Sequence, residues 1–156
     1  MIKLTSDQFI FVLPLAAEWA EAKEQVVLKN GVPLSDSQMD DARRVGVIHP
    51  EKVRIFEVPQ IPLPKHPVLK AAAEETQLIT PSTVGLTVRY GIFIHSDFSD
   101  DRYLMVHELV HTSQYEKLGG FLPFFRKYLL QLINIGYPEA PMEQEAIKMA
   151  EKICRK

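Results

Sequence analysis

Apolar side chains at Phe9, Val12, Leu13, Ala16, Ala17, Ala20 and Val27 recur at the spacing of one helix face, and Asn30-Gly31 supplies a stop. A helix from Asp7 to about Lys29 is expected. Ser35, Ser37, Asp40, Asp41 and Ala42 predict a short second helix ending near Gly46, because Ser and Asp oxygens accept from the free amides of a helix start. Lys52 to Val58 alternates charged and apolar residues as a strand does. Prolines 59, 62, 64 and 67 then forbid a continuing ladder and predict a stiff, extended loop.

The alanine-rich stretch Val68 to Leu78 predicts a helix, and Thr80-Pro81-Ser82 a turn into Val84 to His95. That segment is rich in β-branched and aromatic residues, with Leu86 to Ile94 as the principal strand. Asp97, Ser99, Asp100 and Asp101 precede the helical apolar run Leu104, Val106, Leu109, Val110, which Gly119-Gly120 should end. Further helices are expected from Pro123 to Asn134 and from Met142 to Ile153, separated by a turn at Gly136-Tyr137-Pro138. The pattern predicts one α+β domain over residues 1–156, with helices packed on one side of a small, mostly antiparallel sheet.

Bulk composition narrows the function without naming it. A chain of 156 residues is long enough to bury roughly two thirds of its unfolded surface. With 18 basic against 20 acidic side chains, no global field draws it to nucleic acid or anionic lipid. No apolar run approaches the ~20 residues that span a bilayer, so neither nucleic acid nor membrane is expected as a partner. Phe9 to Ala17 has the length of a secretory leader's apolar region, but Asp7, Pro14 and the charged run Glu18, Glu21, Lys23, Glu24 argue against that role. The single cysteine, Cys154, rules out an intramolecular disulfide and a cysteine-based zinc site; a cytoplasmic location is expected.

The chemistry concentrates in His107-Glu108-Leu109-Val110-His111. On a helix, residues four apart share a face, so two imidazoles can hold one metal with Glu108 beside them, while Leu109 and Val110 pack inward. A catalytic zinc needs about three protein ligands and an open position for water, for which Glu108 is the natural general base. The competing reading is a chance match of two ordinary histidines around an unrelated glutamate. His49 and His66 precede prolines in loops and need no special role.

This segment resembles the HExxH motif of zincin metallopeptidases. Metzincins continue with glycine and a third histidine where this chain has Gln114 and Lys117, so a third ligand must come from elsewhere. Gluzincin-like enzymes supply a glutamate from a later helix within a Glu-x-x-Ala pattern, which Glu143-Gln144-Glu145-Ala146 matches. Glu143 is preferred over Glu145, because Ala146 and Ile147 lie at its next turn to pack on the motif helix. The other glutamate, or less favourably Asp100 or Asp101, is then expected to hydrogen-bond an outer histidine nitrogen.

The resemblance implies a small zincin-like domain binding Zn2+ through His107, His111 and Glu143, and hydrolysing a peptide or protein substrate. Tyr137, or else His95, would stabilise the oxyanion, and the strand Arg89 to His95 would lie along the cleft to pair with substrate backbone. Gln114 and Tyr115 are read as continuing the polar side of the metal helix. The string PMEQEA and the overall length are similar to a group of small bacterial proteins, a likeness that carries no substrate. The rival is a zincin-like scaffold that binds metal or a partner without cleaving.

Overall fold

The computed structural model describes residues 4–155. Helix α1 (Ser6–Asn30) begins where Thr5 and Gln8 form a reciprocal capping box, so both ends of the first turn are satisfied by side chains. The apolar stretch that has the length of a leader is the first half of this helix, with Val12, Leu13 and Ala16 buried in the core. Helix α2 (Asp36–Arg44) is capped in the same way by Ser35 and Gln38. Strand β1 (Val32–Pro33) lies between these helices, and β2 (Arg54–Val58) leads into the proline-rich loop that ends at α3 (Pro67–Glu75).

The strand expected over residues 84–95 is two strands, β3 (Gly85–Val88) and β4 (Gly91–His95), folded back on one another. Arg89, with φ 64°, and Tyr90 form the reversal. Arg89-Tyr90 lacks the Asn-Gly or Asp-Gly signature of a two-residue hairpin, which is why the pattern reads through it.

The sheet order is β1-β2-β4-β3. Its outer pairings, β1 with β2 and β3 with β4, are antiparallel, while the central pair β2 and β4 is parallel, with α3 and β3 in the connection between them. Helices cover both faces of the sheet, not one. Phe93, Leu86 and Val88 join the cluster formed with α1 and with α5 (Phe121–Asn134). Ile55, Ile92 and Ile94 join the opposite cluster, formed with α4 (Arg102–Leu118) and α6 (Pro141–Cys154). Alternation along the central strands β2 and β4 thus feeds two cores, which makes them apolar on both sides. At Gly91 a Cβ would lie 2.9 Å from the Cβ of Val27, so α1 crosses the sheet in close contact there.

Helix α4 starts at Asp101, whose carboxylate accepts from the Leu104 N–H at 3.0 Å, and stops at Gly119 in the left-handed conformation with φ 98°. A bidentate pair from Arg102 to Asp41, at 3.0 and 2.9 Å, fastens the start of α4 to α2. No described helix is long and apolar enough to cross a membrane.

Candidate metal centre

Helix α4 buries Leu109 and Val110 in the core, and that rotation turns His107 and His111 toward a cleft between α4, α5, α6 and β3. Glu143 enters the same cleft from the first turn of α6, where the positive end of the helix favours a carboxylate. Ala146, one turn on, is fully buried, which lets α6 approach α4 closely. Glu143 Oε1 lies 3.1 Å from His107 Nε2 and its Oε2 lies 3.0 Å from His111 Nε2.

One ligand atom from each of the three residues lies within 4.8 Å of the others. A tetrahedral ion with ligands at about 2.0–2.1 Å needs donors roughly 3.3 Å apart. The 3.0 and 3.1 Å separations run to different oxygens of Glu143 and are ion-pair distances, not that edge; the donor set itself, two imidazoles with one carboxylate, is one that divalent metals accept. These three residues can therefore hold a metal ion.

Further contacts orient the ligands. His111 Nδ1 lies 2.7 Å from Gln114 Oε1; with the proton on Nδ1 it donates to that oxygen and leaves Nε2 free toward the ion. Gln114 in turn donates to Glu145 Oε1 at 2.7 Å and to the Met142 carbonyl at 3.0 Å. The second glutamate thus supports the histidine through an amide relay, and neither Asp100 nor Asp101 takes that role. Gln114 and Tyr115 are almost fully buried, in contrast to the polar face expected for them. Tyr115 stacks on Phe124 with centroids 3.6 Å apart, and Gln114 uses its polar atoms entirely inside the protein.

Tyr128 of α5 donates to Glu143 Oε2 at 2.6 Å, a partner the sequence does not reveal because it sits in a helix patterned like ordinary core. Burial and the adjacent Glu143 hold its phenol well above the usual range, so it stays a donor. Burial would drive the proton off His111, but Glu143 outweighs it and raises His111 to about 9. Burial would likewise favour a neutral Glu143, yet His111 and His107 hold it well below the ordinary carboxylate range.

Glu108 lies in the same cleft, and its Oε1 accepts from the Thr87 hydroxyl at 2.6 Å. The cleft has a volume of about 490 Å³ and apolar walls that include Leu78, Leu86, Phe124 and Phe125. Tyr137, half exposed on the loop between α5 and α6, lines it too. The strand Arg89 to His95 proposed for the cleft is β4, an internal strand; the strand that lines the cleft is β3, the terminal one of the sheet. His95 caps the turn after β4 by accepting from the Asp97 N–H at 3.1 Å. His66 caps α3 in the same manner, and His49 pairs with Glu51 at 3.4 Å, so these three histidines serve local structure. Compared with family models, with curated proteins and with solved structures, the chain has no match.

Proposed function

We propose that the protein is a zinc-dependent peptidase whose metal ligands are His107, His111 and Glu143 and whose general base is Glu108. The observation that carries this reading is the convergence of the three ligand atoms beside a buried Glu108 in one apolar cleft. A zinc ion held there would supply Lewis acidity, polarising a peptide carbonyl and bringing the pKa of a coordinated water toward neutrality. Glu108 takes a proton from water and delivers it to the leaving amine. Tyr137, with its ring at the cleft wall, offers its hydroxyl to the developing oxyanion, whereas the Tyr128 hydroxyl is committed to Glu143.

Among the described residues, no lysine or arginine lines the cleft to receive a terminal carboxylate. Internal peptide bonds flanked by apolar side chains are the substrates this reading favours, with extended substrate backbone lying along β3, the terminal strand of the sheet. The lone Cys154 accords with the cytoplasmic location that belongs to the same reading.

The test combines elemental analysis with a quenched-fluorescence peptide library, on the wild type and Glu108→Gln. One zinc per chain in both proteins is expected, with cleavage reduced at least ~100-fold in the variant. No zinc uptake, or equal cleavage by the variant, contradicts the proposal. A second reading, a metal-binding scaffold without turnover, draws on the completeness of the network. No buried side-chain nitrogen or oxygen among the described residues lacks a partner. Stoichiometric zinc with no peptide cleaved would select it.

A further inference from the structure

The carboxylate assigned as general base is gripped from the sheet side. Along β3, Leu86 and Val88 join the core shared with α1, while Gly85 and Thr87 alternate to the face that meets α4. The Thr87 hydroxyl, almost fully buried, lies 2.6 Å from Glu108 Oε1 and 3.0 Å from the Glu108 carbonyl oxygen. Two residues earlier, a Cβ on Gly85 would fall 2.9 Å from Glu108 Oε2 and 3.1 Å from its Cδ. One carboxylate oxygen therefore accepts a short hydrogen bond, and the other occupies space that only glycine leaves.

We infer that Thr87 and Gly85 are positioning residues that fix the Glu108 carboxylate for proton transfer, an inference that rests on the peptidase reading above. A glutamate has three rotatable side-chain bonds, and misplacing a reacting group by about 1 Å can cost on the order of a hundredfold in rate. The strand that carries the grip is itself held by α4. Tyr115 donates its hydroxyl to the Thr87 carbonyl at 3.3 Å, and Thr112 donates to the Arg89 carbonyl at 2.7 Å. These bonds use the β3–β4 backbone, so replacing the Thr87 side chain leaves the strand anchored while removing its hold on Glu108.

The experiment compares Thr87→Val, Thr87→Ser and Gly85→Ala with the wild type by zinc content, steady-state kinetics and crystal structures. Thr87→Val removes the hydroxyl at nearly constant volume, and its kcat is expected to fall about ten- to hundredfold. KM should stay within about twofold of wild type, since the interaction acts on the reacting group and not on uniform substrate binding. Thr87→Ser should restore kcat, and Gly85→Ala should reproduce the loss by crowding the carboxylate. All three should retain one zinc per chain. In crystals, Glu108 should leave its position in Thr87→Val and Gly85→Ala and keep it in Thr87→Ser. Unchanged kcat with an unmoved Glu108 in Thr87→Val overturns the inference. A zinc-loaded wild type that cleaves no peptide defeats the peptidase reading; the position of Glu108 in the same crystals then decides separately whether the grip exists.

Discussion

Two carboxylates lie equally deep in this protein and end in different chemistry. Glu24 is fully buried and accepts from Arg89 Nε at 2.8 Å, from Arg89 Nη2 at 2.7 Å and from the Tyr90 N–H at 3.1 Å. Glu143, 2% exposed, meets His107, His111 and the Tyr128 hydroxyl at 3.1, 3.0 and 2.6 Å. In each case the cost of burying a charge is offset by a cationic partner and a further donor. The partners differ in one property. A guanidinium keeps its proton and offers no lone pair, so Glu24 and Arg89 tie α1 to the β3–β4 turn without offering a metal site. An imidazole can give up its proton and coordinate, so the same arrangement around Glu143 is convertible into a metal site. Depth and pairing alone do not distinguish the two carboxylates; a partner able to exchange its proton for a metal does.

Substitutions separate the two roles, beginning with the largest effect. Glu143→Ala should reduce zinc by elemental analysis from one per chain to background, because two histidines on one helix are left without the third ligand. Retention of stoichiometric zinc would make Glu143 another Glu24. Glu24→Gln should destabilise the fold by about 3 kcal/mol, at the low end for a broken buried pair because Arg89 reaches solvent. In a melt that is a drop on the order of 6–12 °C. Its zinc content should not change, and any loss of metal would break the division between structural and functional carboxylates. Gln114→Ala removes the partner of His111 Nδ1 and should weaken zinc about ten- to hundredfold in competition with a chromophoric chelator. Tyr128→Phe deletes only the donor to Glu143, and its effect in the same competition should stay below about tenfold.

The sequence discloses these features unevenly, and the reason is range. His107 and His111 are legible because one helix places both on the same face, so the pair needs no tertiary information. The caps at Ser35 and Asp101 and the stop at Gly119 are legible for the same local reason. Glu143 is reached only through the resemblance of its Glu-x-x-Ala setting, since nothing local ties it to a helix 36 positions away. Thr87, Gln114 and Tyr128 are ordinary residue types inside apolar or helical patterns, and their roles exist only once β3, α4, α5 and α6 meet. Glu24 is less legible still, an acidic residue in a charged helical run that turns out fully buried. The parallel pairing of β2 with β4 is hidden likewise, because alternation specifies which face a residue takes and not which neighbour a strand chooses.

The central claim is tested most directly by anomalous diffraction at the zinc absorption edge from crystals grown with one equivalent of zinc. A single peak about 2.0–2.2 Å from His107 Nε2, His111 Nε2 and a Glu143 oxygen is the predicted result. A density map with no anomalous peak in that cleft, Glu143 still bridging the two histidines, would contradict it.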